Sequence, residues 1–187
     1  MKTFILFWNP SISSYTLERL TDDISYGDLN EDFDWSIRDH QLAHEGDRFF
    51  MVRCKNKPVP GKLNQWGKQL WEPVIDDHTG VCMSGRFTSE PFRGEDWSGK
   101  GREVFYMKMF IDVAVNPDVM PVLKTAEIQA AIPGFDWKGG ASGRLIDEES
   151  AEKLANLWEQ FCKEHKDEIY DSEVSAFIDD EMYGKLG

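Results

Sequence analysis

At 187 residues, 41% hydrophobic and 29% charged, the chain is long enough to bury one core without a disulfide framework or a structural metal. Its net charge of −13 argues against a protein that grips duplex nucleic acid by phosphate contacts alone. No apolar run approaches the roughly 20 residues of a membrane span. Cys54, Cys82 and Cys162 are widely spaced, so they read as reduced, mostly buried thiols, with no metal site and no cofactor expected.

Residues 2–8 read as a first strand, stopped by Asn9-Pro10. That break comes too soon for a signal peptide, and the expected location is cytoplasmic. Ser13 or Ser14 is placed to cap a short helix with Leu17, Leu20 and Ile24 on its apolar face. Residues 22–34 are acidic and loop-like. In 33–37, Phe33, Trp35 and Ile37 share a face by period two. Glu45-Gly46-Asp47 is a turn, and 48–54 a strong strand. Pro58, Pro60 and Gly61 mark a loop, and 66–73 is either an irregular insertion or one more strand.

Residues 80–88 form a strand in which Gly85 signals a bulge or a close approach by another backbone or a ligand. Residues 91–101 form a loop carrying Trp97, and 103–115 the longest strand. Residues 120–132 hold a short helix or two, and 133–143 a glycine-rich loop. Asp147 caps the clearest helix, with Glu148 and Glu149 at its positive end and Ala151, Leu154, Leu157, Trp158 and Phe161 on one face. Residues 164–187 form an acidic extension, either a second helix or a weakly ordered tail, with Ile169, Tyr170, Val174, Phe177, Ile178 and Tyr183 as anchors. The domain proper is 1–163. Short strands with helices early and late predict an α+β class: a small mixed β-barrel with peripheral helices. Its expected core is Phe4, Leu6, Phe49, Met51, Val81, Met83, Phe105, Met107, Leu154 and Phe161.

Charge is uneven. From Asp147 onward there are 13 acidic and 4 basic residues, whereas 48–68 holds Arg48, Arg53, Lys55, Lys57, Lys62 and Lys68 and no acid. That stretch is either a nucleic-acid backbone face or a solvated hairpin. The chain has seven tryptophans, most of them beside Gly, Pro, Asn or Ser. Such rings either pack with a polar tip outward or wall a pocket for a flat or cationic ligand. Catalytic signals are weak. His40 and His44 are four apart without the H-E-x-x-H pattern, and no phosphate-binding loop, dinucleotide fingerprint or nucleophile elbow occurs. No catalytic residue is assigned.

The order of the unusual segments carries a resemblance. Trp8-Asn9-Pro10 is followed by Trp35-Ser36-Ile37-Arg38-Asp39-His40 and by Glu45-Gly46-Asp47-Arg48-Phe49-Phe50. Residues 80–92, Asp96-Trp97, Trp137, Ser142-Gly143-Arg144-Leu145-Ile146 and 154–158 complete the series. This resembles the EVE-like branch of the PUA-like superfamily, which also holds the PUA, ASCH and YTH domains, over residues 3–162. The resemblance implies a pseudo-barrel of five or six mixed strands with helices around it, and a cleft that accepts one flipped-out, often modified, base. It implies Trp35 as the best wall with Ser36 beside it, and Trp8 and Asn9 as second wall and polar reader. It adds Trp97, Trp137 and Ser142 from later loops, and Arg38 for a phosphate or base edge. The stretch from Pro58 to Thr79 is longer than in compact relatives, and the acidic tail is extra.

The leading expectation is therefore a non-enzymatic module that reads a modified or flipped-out base in DNA or RNA. The acidic tail favours a second reading, a protein- or small-molecule-binding module on the same fold, with a protein partner at the acidic region. A third is an ASCH-type enzyme acting on a nucleotide or RNA.

Overall fold

The computed structural model describes residues 1–30 and 33–172. The first strand, β1 (Thr3–Trp8), is buried along its whole length. Helix α1 (Leu17–Tyr26) follows, capped by Thr16, whose side chain accepts from the Arg19 N–H. Thr16 rather than Ser13 or Ser14 is the cap, and the helix runs into the segment read as acidic loop. Leu20 is its fully buried residue, and Leu17 and Ile24 pack beside it.

Strand β2 (Asp34–Ser36) and a short 3-10 turn at His40–Leu42 lead into β3 (Arg48–Arg53). Next come β4 (Lys55–Leu63) and β5 (Gln69–Val74), then β6 (Gly80–Phe87) and β7 (Phe92–Gly94). The long β8 (Val104–Ala114) is followed by β9 (Leu123–Lys124), α2 (Thr125–Ala131) and β10 (Arg144–Ile146). Helix α3 (Glu148–Glu164) and β11 (Tyr170–Asp171) complete the described chain. Asp147 caps α3 by accepting from the Ser150 N–H. The anchors Val174, Phe177, Ile178 and Tyr183 lie outside the described residues.

Among the described residues the fold is α+β: one mixed sheet curled into a half-barrel, with three helices. Its main order is β10-β1-β3-β6-β8-β11, and β1 and β3 run parallel while their neighbours are antiparallel. Strand β8 is shared. Its C-terminal half pairs with β6 and β11, its N-terminal half with β2 and β7. A seam then joins β2 to the β1 end of the sheet. Arg38 N donates to Ser142 O (2.8 Å), Asp39 N to Gly143 O (3.0 Å), and Gly143 N to Ile5 O (2.8 Å). Asp39 Oδ2 also accepts from Leu145 N (2.8 Å). Gly143 has φ +83, and a Cβ there would stand 2.5 Å from Ile37 Cα, so the seam closes only around glycine.

Of the expected core, Phe4, Leu6, Phe49, Met51, Val81, Met83, Met107, Leu154 and Phe161 are buried. Each contributes about 1.5–3 kcal/mol relative to exposure. Phe105 is the correction: it is only partly buried and faces a cleft. Gly85 marks a register shift between β6 and β8, and a Cβ there would meet Phe110 O at 2.0 Å. The close approach read from the sequence is thus to another backbone. Trp158 is buried on Phe161 (5.2 Å between rings), and its indole N–H donates to Ser84 Oγ at 2.9 Å.

Pro58, Pro60 and Gly61 do not form the expected loop. They lie within β4, which pairs with β5 as a two-stranded arm outside the main sheet. A two-stranded ribbon has two free edges, so a proline whose nitrogen faces outward breaks no ladder bond.

Candidate functional site

An open cleft of about 1450 Å³ lies against the seam. It is lined by the end of β1 and residues 12–15, by β2 with Ile37, Arg38 and His40, by the base of the arm, by β7 and the start of β8, and by Asp136 and residues 138–142. That exceeds the roughly 300–1,000 Å³ of ordinary small-molecule sites.

Trp35 is held in this cleft from two sides. Its ring stacks on Phe33 at 5.9 Å and 7°, and meets the edge of Tyr15 at 6.5 Å. Its indole N–H donates to Ser142 Oγ at 3.0 Å. The same oxygen accepts from the Phe7 N–H, also at 3.0 Å. A hydroxyl has two acceptor lone pairs and one proton. Both lone pairs of Ser142 are committed, so its proton is left free to donate.

Asn9 is constrained in a similar way. Its Oδ1 accepts from the Ser11 N–H (3.1 Å), and its main-chain carbonyl from Ile12 and Ser13. The side-chain amide NH₂ has no partner among the described residues, and Asn9 lines the cleft. Arg38 is exposed at the rim and makes no ion pair with a described residue. Ser142, Asn9 and Arg38 therefore all present donors, while Asp34, Glu95, Asp96, Glu103 and Asp136 also line the cleft.

Sequence reasoning missed part of the aromatic lining. His40 stacks on Phe105 at 3.8 Å and 8°, and its Nδ1 donates to the Arg38 carbonyl (3.2 Å). Phe92 stacks on Tyr106 at 6.3 Å. The signal for Phe105 and Tyr106 was present, since an aromatic pair at a strand's start puts one ring on each face.

Trp97 stands 54% exposed on the loop after β7. Asp96 builds that loop by accepting from Ser98 N (2.9 Å), Ser98 Oγ (2.7 Å) and Arg102 N and Nε (both 3.1 Å). Arg102, with Ser98, holds the Asp96 carboxyl far below the usual carboxylate range. Tyr106 O–H accepts from the Trp97 N–H at 3.1 Å and steadies the ring's base.

The cleft brings together Asn9, Trp35, Ser36, Arg38, Trp97 and Ser142. Trp8 and Trp137 are corrections. Trp8 is wholly buried because all of β1 is enclosed, and its indole N–H is spent on Tyr15 O at 2.8 Å. Trp137 packs on Phe135 at 4.6 Å and donates to Ile132 O at 2.8 Å. Neither ring offers a face to the cleft.

The basic stretch also divides. Arg53 is buried, donates to His78 O (3.0 Å) and pairs with Asp118 (3.1 Å). Lys55 pairs with Asp76 and Lys57 with Glu72, each at 3.1 Å. Arg48 lies over the Phe50 ring at 4.5 Å, and burial lowers its pKa. These four are therefore not a free phosphate face. Lys62 and Lys68, on the outer arm, are exposed and make no ion pair with a described residue.

Cys54 borders the cleft with its thiol donating to Trp8 O at 3.4 Å. Burial pushes that thiol up to about 11, so it is not a thiolate nucleophile at neutral pH. Among the described residues no three His, Cys, Asp or Glu converge as a metal site requires, and no helix is long and apolar enough to cross a membrane. No protein-family model matches the chain, and no curated protein matches it.

Proposed function

We propose that the cleft binds a base turned out of a DNA or RNA strand, on a barrel of the PUA-like, EVE-like kind. The observation that carries this reading is the pinned Trp35: a partly exposed indole fixed by Phe33, Tyr15 and Ser142 at the wall of an open cleft. A base taken from the stack loses its neighbours' faces, and an aromatic wall replaces them for about 1–3 kcal/mol. The donors of Ser142, Asn9 and Arg38 suit the carbonyl oxygens and ring nitrogens on a base edge. The parallel β1–β3 pair in an otherwise antiparallel sheet is compatible with a PUA-like pseudo-barrel.

The test is a titration of the full chain with nucleosides, plain and methylated, and with short oligonucleotides carrying them, read by tryptophan fluorescence. Quenching is expected, and Trp35→Ala should abolish it while circular dichroism shows an intact fold. Unchanged affinity in a folded Trp35→Ala variant removes the base-stacking role. Failure of every oligonucleotide at low salt, with capture of a basic peptide instead, favours the protein-binding reading.

A further inference from the structure

The β4–β5 arm has one face continuous with the cleft. Residues paired across an antiparallel ladder point to the same side. The register pairs Asn56 with Pro73 and Pro58 with Trp71, so these four share a face. Lys57 and Glu72 pair on the opposite one. Asn56 and Pro73 line the cleft. Trp71 therefore stands on the cleft side, two residues farther out, about 7 Å along the strand at about 3.3 Å per residue.

Trp71 is 56% exposed and has no ring partner among the described residues, unlike Trp8, Trp137 and Trp158. The arm also reverses the chain's electrostatics. It carries four lysines and one carboxylate in a protein of net charge −13. Lys55 and Lys57 are answered by Asp76 and Glu72, which leaves Lys62 and Lys68 for an external anion. An aromatic face on the same arm as cations that make no ion pair with a described residue is the composition that tracks a nucleic-acid strand.

We propose that Trp71, with Pro58 opposite it, is a stacking platform for the nucleotide next to the one in the cleft, and that the occupant is single-stranded nucleic acid. This rests on the base-binding reading of the cleft. Successive stacked bases rise by about 3.4 Å, half of the step from Pro73 to Trp71. A strand that fills the cleft and covers Trp71 is unstacked at that point, which duplex does not allow without melting.

The experiment measures binding of thymidine, uridine, single-stranded dT and U hexamers and a mixed-sequence duplex to the full chain at low salt. Platform stacking tolerates any base, so an unmodified hexamer suffices as probe. Trp71→Ala should weaken hexamer binding about 5- to 150-fold and leave any nucleoside binding unchanged. Trp71→Phe should restore most of the loss. Hexamer affinity unchanged in Trp71→Ala, while Trp35→Ala weakens it, overturns the arm alone. The converse result overturns the cleft reading and the arm's place beside it. A wild-type chain that binds no hexamer, or binds duplex equally well, overturns the proposal outright.

Discussion

Ser142→Ala is the sharpest perturbation of the site, because one oxygen serves two donors from different segments. The Phe7 N–H lies on β1 beyond the last residue paired with β10, so Ser142 stands where a ladder partner would. Phe7 is 7% exposed, and its unpaired N–H should cost the full penalty of a buried orphan, about 1–3 kcal/mol. The Trp35 indole borders the cleft and can turn to water, so its bond is worth the net figure of about 0.5–1.5 kcal/mol. Together the loss is about 1.5–4.5 kcal/mol, and in a chain of this length each kcal/mol moves Tm by roughly 2–4 °C. Urea unfolding gives the stability. Exchange of the Trp35 indole proton, followed by NMR, gives the local effect, and it should accelerate in the variant. Ser142→Thr keeps the oxygen and should recover most of both. A loss below about 0.5 kcal/mol with unchanged indole exchange would refute the two-donor pin.

Trp158→Ala should cost about 3–5 kcal/mol by urea unfolding, and a loss under about 1 kcal/mol would place the ring outside the core. Gly143→Ala combines left-handed strain of about 1–2 kcal/mol with overpacking of about 1–3 kcal/mol against Ile37, and should disturb ligand binding as well as stability. Stability should plateau in the neutral range. The Glu45 N–H and His44 hold Glu90 low, Arg102 holds Asp96 low, and Ser150 holds Asp147 low; these contributions are present above the ordinary carboxylate range of about 3.9–4.3 and lost as pH falls through the lower folded values. Burial raises the Cys54 and Cys82 thiols to about 11 and about 12, so their contribution is complete below the unfolded value of about 8.5 and lost as pH rises through the folded ones. A Tm that climbs steadily above pH 9 would contradict this. If a single strand lies on the arm, Lys62→Gln/Lys68→Gln should lower the salt slope of hexamer binding by about 1.4, at about 0.7 per phosphate contact, whereas Lys55→Gln should change it little.

The elements with a long local period were legible in the sequence. Helix α3 needs only its cap and its i, i+3, i+4 spacing, and β6 and β8 need only their alternation and the glycine that opens the bulge. The arm was half legible: 66–73 could be one more strand, but the two prolines and the glycine of β4 read as a loop, although such residues end a strand only where both edges are paired. The tryptophans show where local reading stops. Trp8 and Trp35 each stand before a polar residue, Asn9 and Ser36, yet one ends a strand buried along its whole length and the other sits on a short, partly exposed strand. Their difference is set by β3, β10 and the 136–142 loop, all remote in sequence. Charge behaves the same way. The run from Arg48 to Lys68 is visibly basic, but Asp76, Glu72 and Asp118 reach it only through the hairpin and the turn after β8. The cleft joins five segments through the seam of residues 37–39 on 142–143. No contiguous motif encodes it, and the donor role of Ser142 follows from its lone pairs being occupied by two remote segments rather than from the identity of the residue alone.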